Sequence, residues 1–287
     1  MRILIVGHGV VGKNLEKELE VLHPDVIDKY KPEENKIEVP YGDRYDIAFI
    51  CVDTPIRKEE SVLCDTSEVK NAIMENEAEI YVIKSTVSPG TTEQLRVKTG
   101  KRIIFSPEYY GGTQHCNNFR FDFTILGGER KACIEVIQVL QHVYDARHKF
   151  RITDSRTAEL TKYMENSFLA TKVSFCQQFY FIASEMDVDY EELRELFVLD
   201  PRVNPSHTFV DRLHPYWSSH CLDKDVPAIA DAYEASLLQE VIKFNENTKK
   251  CLGIIRRAEI PEGIKNDMLM YQAGVRRKEI LKDRETP

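Results

Sequence analysis

An α/β chain, with a doubly wound parallel sheet followed by a mainly helical domain, is what the distribution of apolar residues implies. In the first half, six short β-branched runs alternate with amphipathic stretches; the first run ends in a glycine-rich turn; and beyond residue 155 the apolar residues switch to helical spacing. Strands alternating with helical patterns are what βαβ units and a parallel sheet require.

The runs are RILIV at 2–6, DVID at 25–28, DIAFICV at 46–52, EIYVIKS at 79–85, RIIFS at 102–106 and DFTILGG at 122–128. Residues 1–154 therefore read as one doubly wound domain. ITDS at 152–155 closes it, and Asp154 or Ser155 can cap the helical stretch AELTKYMENSFLATKVSFCQQFYFIASEM. A helical domain is expected over 155–257. Its middle, 199–220, holds three prolines and no period, so it reads as a long loop of the functional kind. A second long helix is expected from about Val226 or Ala235 to about Arg257, and 258–287 reads as a charged tail.

Composition narrows the function. The 287 residues are 42% hydrophobic and 30% charged, an ordinary globular balance. With 39 Lys and Arg against 47 Asp and Glu, the net charge of −8 argues against nucleic-acid binding. The seven cysteines include no CxxC pair, which points away from a disulfide framework or zinc ribbon and toward the cytoplasm. No window approaches the roughly 20 apolar residues of a membrane span. No HExxH or comparable spacing suggests a metal.

The turn Gly7-His8-Gly9-Val10-Val11-Gly12 follows the first strand and opens the pattern VVGKNLEKELEVL. In a Rossmann-like domain the first glycine makes the tight turn and the second lets the backbone approach a pyrophosphate. The third allows close helix–strand packing. Val10 and Val11 then begin the helix whose N-terminus faces the phosphates. Asp28 ends the second strand, 21 residues after Gly7, where a carboxylate accepts hydrogen bonds from the adenosine ribose and disfavours a 2′-phosphate. NAD is the expected cofactor.

Further along, GHGVVG at 7–12, CVDTP at 51–55, CDTSEV at 64–69, STVSPGTT at 85–92, SPE at 106–108, AELTKYMENSFLATKVSF at 158–175, DPR at 200–202, CLDKD at 221–225 and SLLQEVIKFNE at 236–246 occur in order. This series resembles the UDP-glucose/GDP-mannose dehydrogenase family, whose members oxidise a nucleotide sugar at C6 to a uronate. The resemblance implies that Cys221 is the nucleophile, with Lys224 beside the cofactor and Asp225 near the attacking water. Lys162 and Asn166 would hold the sugar oxygen and stabilise a developing oxyanion. Glu108 would be the acid/base or water-positioning carboxylate, and Thr86 would orient cofactor, substrate or water. Val52 and Thr54 would line the nicotinamide side.

Elementary chemistry supports two of these roles. Lys162 and Asn166 are four residues apart and share a helix face, so a cation and an amide could converge on one negative charge. Cys221 ends a polar loop beside a Lys and two acids, a setting that can raise the thiolate fraction, whereas Cys51, Cys133 and Cys176 sit in apolar patterns.

The chain also departs from the family pattern. Gly112 stands where a second carboxylate follows the SPE glutamate, DRLHPYWSSH replaces the glycine-rich loop before the cysteine, and CLPKD has become CLDKD. No counterpart of the family's C-terminal nucleotide-gripping domain is expected in the final segment, so weak substrate binding is expected. A homodimer is expected through Leu237, Leu238, Val241, Ile242, Leu252 and Ile255, an apolar stripe with no obvious partner within the chain. Two rivals to the four-electron enzyme stand: a two-electron dehydrogenase of the β-hydroxyacid type, which would not need Cys221, and a non-catalytic NAD-binding or interaction protein.

Overall fold

The computed structural model describes residues 1–37, 44–56, 64–110 and 121–257, with side chains to 252. The chain forms two compact units, Met1–Met164 and Glu165–Pro287.

The first unit is built in the order β1 (Ile3–Val6), α1 (Val10–Glu18), β2 (Asp25–Ile27), β3 (Tyr45–Ile50), α2 (Ser67–Glu75), β4 (Ala78–Ile83), α3 (Thr91–Thr99), β5 (Ile103–Phe105), β6 (Phe123–Gly127), α4 (Arg130–Leu140) and β7 (Lys149–Thr153). The seven strands among its described residues lie in the order β2-β1-β3-β4-β5-β6-β7. Both faces are buried, as a doubly wound sheet demands. Ile3, Ile5, Ile47, Phe49, Ile80 and Val82 pack with α1 and α4 residues such as Leu15, Leu19, Cys133 and Val136. Leu4, Val6, Ala48, Ile50, Tyr81 and Ile83 pack with Val69, Ala72, Ile73 and Leu95 of α2 and α3. Successive residues on each strand thus serve opposite layers.

All six expected runs form strands. β7 is an addition, because KFRIT presents only Phe150 and Ile152 to the core between exposed Lys149 and Arg151, the pattern of an edge strand. The sheet is also not uniformly parallel. β5 meets β6 antiparallel through one pair, Phe105 with Gly127, each the last residue of its strand. The remainder of β6, and β7 paired parallel to it, therefore continue past the carboxyl end of β5.

Helix α5 (Ser155–Glu185) starts from this ribbon, capped by Asp154, whose Oδ1 accepts the Thr157 N–H at 2.9 Å. Its first turns belong to the sheet unit. Ala158 lies so close to Gly127 that a Cβ there would sit 2.4 Å from the alanine methyl. The buried Glu159 carboxylate accepts the Gly90 N–H at 2.5 Å and the Thr92 N–H at 2.8 Å, capping α3 from a distance.

The described part of the second unit comprises the rest of α5, α6 (Tyr190–Phe197), α7 (Leu222–Ala232) and α8 (Ser236–Arg257). Residues 198–221 contain no helix or strand, as expected. They are nonetheless anchored: the Trp217 N–H donates to Asn245 Oδ1, the Asn245 amide donates back to the Trp217 carbonyl, and the indole N–H donates to Ser174 Oγ, all at 2.9 Å.

One expectation is refined here and another is corrected in part. The long helix expected from Val226 or Ala235 to Arg257 begins at the later of these points, as α8, and a separate helix, α7, precedes it. Pro227, suggestive of a helix start, lies inside α7, and Glu234 at φ +47° breaks the chain before α8. Part of the α8 stripe has partners in its own unit, since Val241 and Ile242 pack on Ala170, Val173, Trp217 and Val226, whereas Leu237 is exposed. The Ile255 side chain, the 258–287 tail and Gly112 lie outside the described residues.

Candidate active site

In an open α/β sheet, ligands bind outside the carboxyl ends of the strands, and those expected cofactor residues that belong to the first unit lie at these ends, whereas Lys224 is on α7 of the second unit. Gly7 turns at φ +95°, and a Cβ on it would lie 2.7 Å from the Cys51 carbonyl oxygen. A Cβ on Gly12 would lie 2.0 Å from the Gly7 oxygen, so these two positions admit only glycine. Gly9 differs: a Cβ there would meet nothing within 4 Å. Helix α1, opened by Val10 and Val11, carries no side-chain cap at Gly9. Open space before bare helix N–H groups suits a pyrophosphate.

Asp28 is buried and tightly held. Its Oδ2 accepts the His8 N–H at 2.6 Å, and Oδ1 accepts the N–H groups of Tyr30 at 2.8 Å and Lys31 at 3.1 Å. A carboxylate has about four lone-pair positions, so about one remains for a ribose hydroxyl. His8 itself contacts Glu16 and Glu34. Burial acts to raise the Glu16 carboxyl, but hydrogen bonds from Lys36 and His8 outweigh it and hold the group low.

The loops after β3 and β4 are stitched together. Thr54 Oγ1 donates to the Thr86 carbonyl at 2.8 Å and Ser85 Oγ to the Val52 carbonyl at 2.6 Å. Beyond β5, Glu108 is buried, accepts the Tyr110 N–H at 2.8 Å and stands 3.6 Å from the Lys162 ammonium, which also lies 5.2 Å from the Tyr109 ring centre. Sequence reasoning did not single out Lys84. Its buried ammonium donates to Ser106 Oγ at 3.2 Å and the Pro107 carbonyl at 3.4 Å, holding the segment that carries Glu108. Burial pulls the Lys84 pKa down against the pull of neighbouring acids. A charged residue closing an otherwise apolar strand was the signal available for it.

In the second unit, Cys221 sits at the N-cap of α7. Its carbonyl accepts the N–H groups of Lys224 at 3.2 Å and Asp225 at 2.8 Å. Asp225 is 1% exposed; its Oδ2 accepts the Asn166 amide at 2.7 Å. Its Oδ1 stands 2.7 Å from Lys224 Nζ, an ion pair rather than an aligned hydrogen bond. Asn166, Lys224 and Asp225 are thus brought together, while Lys162 pairs with Glu108 in the first unit. Of the six described cysteines, five are buried and only Cys221 is partly exposed. Burial pushes the thiols up, to about 12 at Cys51 and about 11 at Cys133.

Among the described residues, no group of three or more His, Cys, Asp or Glu is placed to hold a metal, and no helix is long and apolar enough to cross a membrane.

Two models of one protein family match the chain in sequence order. Residues 15–147 match the NAD binding domain of the UDP-glucose/GDP-mannose dehydrogenase family, and 156–247 match its central domain. The UDP-N-acetyl-D-mannosamine dehydrogenase of Methanococcus aeolicus is 27% identical over 84% of this chain and 57% of that protein. The UDP-glucose 6-dehydrogenase of Rickettsia felis is 27% identical over 69% of this chain and 47% of that one. The chain thus spans about half the length of these relatives. In fold it is similar to a UDP-glucose dehydrogenase from Pyrobaculum islandicum, with a TM-score of 0.72 at 23% identity over 90% of this chain and 71% of that one.

Proposed function

The chain belongs to the UDP-glucose/GDP-mannose dehydrogenase family and carries its NAD binding domain, and from that premise we propose that it oxidises a nucleotide sugar of the UDP-glucose type at C6 to the uronate through Cys221. The observation that carries the proposal is that Cys221, alone among the described cysteines, is partly exposed. It also begins an eleven-residue helix whose N-terminal dipole favours a thiolate.

Two NAD molecules, bound in turn, would each accept one hydride from C6. Loss of the first hydride and the hydroxyl proton turns the alcohol into an aldehyde. The Cys221 sulfur adds to that carbonyl, forming a C–S bond and a thiohemiacetal. Loss of the second hydride and the remaining hydroxyl proton leaves a thioester, and water breaks the C–S bond to release the carboxylate and regenerate the thiol. In this scheme Lys162 and Asn166 steady the sugar oxygen as charge develops, Glu108 and Asp225 position water or accept its proton, and Thr86 orients the reactants. Gly7, Gly9, Val10, Val11, Gly12 and Asp28 hold the adenosine and phosphate end, and Val52, Thr54 and Lys224 the nicotinamide end.

The test is a panel of nucleotide sugars and small hydroxy acids scored by NADH formed per substrate consumed. Two per substrate supports the scheme. One per substrate, with turnover surviving Cys221→Ala, selects the β-hydroxyacid-type alternative. No NADH with any substrate, in a chain that binds NAD, selects a non-catalytic role.

The same proposal includes a cytoplasmic location and a homodimer. Exposed Phe168, Phe175 and Phe179 on α5, with the Phe175 ring tilted against Phe179 at 4.8 Å and 6.3 Å from Phe197, support α5 rather than α8 as the self-association surface.

A further inference from the structure

His8 fills a position of the glycine turn where the dinucleotide fold asks for no particular side chain, yet it is 5% exposed and engaged on every polar atom. Its Nδ1 lies 2.6 Å from Glu34 Oε2, and its Nε2 lies 2.8 Å from Glu16 Oε2. Each ring nitrogen thus stands within hydrogen-bond distance of a carboxylate, one on α1 and one on the turn after β2.

The surrounding charges complete the cluster. Lys13, on α1, lies 2.9 Å from Glu34, and Lys36 is bonded to Glu16. Lys31 Nζ donates to the His8 carbonyl at 3.3 Å, and Asp28 accepts the His8 N–H. One residue therefore ties the glycine turn to α1 through Nε2, to the Pro32–Glu34 turn through Nδ1, and to Asp28 through its backbone. Asn35 Oδ1 accepts the Asp28 N–H at 2.6 Å, which fastens the same turn to the end of β2.

We propose that His8 is a positioning residue for the adenosine end of the dinucleotide, acting as a doubly hydrogen-bonded clamp that sets the turn at 28–35 and the Asp28 carboxylate against the glycine loop. The proposal rests on reading Asp28 as the ribose acceptor. A clamp of this kind acts on the adenosine half of the ligand and leaves the nicotinamide half alone, since Val52, Thr54 and Thr86 lie on other loops.

The test is calorimetric titration of the full chain with NAD, ADP-ribose and nicotinamide mononucleotide. His8→Ala weakens NAD and ADP-ribose about tenfold, the scale of one or two charge-assisted hydrogen bonds, and leaves the mononucleotide unchanged. His8→Gln, which retains one donor, gives an intermediate loss. Glu34→Gln weakens ADP-ribose in the wild-type background and has a smaller effect beside His8→Ala, because the His8 contact is shared while the Lys13 contact of Glu34 is not.

Unchanged ADP-ribose affinity in folded His8→Ala overturns the proposal, and so does an equal loss for all three ligands, which marks a general structural role. Should His8→Ala not fold, an ADP-ribose affinity unmoved in both Glu16→Gln and Glu34→Gln overturns it equally. Asp28→Ala separates the layers. If that variant keeps wild-type ADP-ribose affinity, the ribose reading fails and takes the proposal with it; if it weakens binding while His8→Ala does not, the clamp alone fails.

Discussion

Replacing Asp225 with leucine removes the one group that both Lys224 and Asn166 address, and the structure sets the size of the loss. Asp225 is 1% exposed and the Lys224 side chain 11%, so neither charge is relieved by bulk water. Removing one partner of such a buried pair costs about 3–5 kcal/mol, and an amide left without its acceptor adds about 1–3 kcal/mol. Relaxation of the long lysine stem toward solvent offsets part of this, so a net loss of about 3–5 kcal/mol is expected. The protein contains a single tryptophan, Trp217, which is buried in the second unit against Val226 of α7. Urea unfolding followed by its fluorescence therefore reads the stability of the unit that holds the pair. Lys224→Met combined with Asp225→Leu removes both charges and should recover about 2 kcal/mol relative to Asp225→Leu alone. A single-variant loss below about 1 kcal/mol, or a double variant no more stable than the single, would refute the view that this pair is held by mutual charge in a dry site.

Cys221→Ala should abolish acid formation while leaving NADH binding, followed by cofactor fluorescence, at wild-type strength. Iodoacetamide at neutral pH should label Cys221 ahead of Cys51 and Cys133, whose thiols burial pushes up to about 12 and about 11; mass spectrometry of the peptides decides. Asp28→Ala should narrow the preference for NAD over NADP in binding titrations, since a carboxylate about 4 Å from a 2′-phosphate repels it by up to about 4 kcal/mol per unit charge at an effective dielectric of 20. Phe175→Asp should lower the solution mass from dimer to monomer, whereas Leu237→Asp on α8 should not, as light scattering would show.

The sheet was legible because each strand needed both faces buried and so wrote itself as an unbroken apolar run. β7 escaped because an edge strand needs only Phe150 and Ile152. The glycine turn was readable for a similar reason: at Gly7 and Gly12 backbone atoms stand where a Cβ would be, a demand one residue type alone can meet. The start of α7 was hidden by Pro227, whose missing N–H usually marks a first turn. Side-chain partnerships were least legible. That Lys162 and Asn166 share a helix followed from their spacing. That one meets Glu108 and the other Asp225 depends on residues 54 and 59 positions away, which no local pattern encodes.

Gly127 is where β5, β6, β7 and the start of α5 all touch, and its missing side chain acts as a gauge. A methyl group there would lie 2.4 Å from the Ala158 Cβ and 2.8 Å from the Asp154 carbonyl oxygen, so any substitution must lift the helix off the sheet. A helix is stiff over a few turns, and Lys162 rides one turn above Ala158, about 6 Å along the axis. Lift at the glycine is therefore carried upward with little loss. The gap between Lys162 and Glu108 is 3.6 Å, so a displacement of one ångström would be enough to part them. The vertical registration of a candidate catalytic lysine is thus fixed at a site that contributes no chemistry, by the volume of a single absent atom.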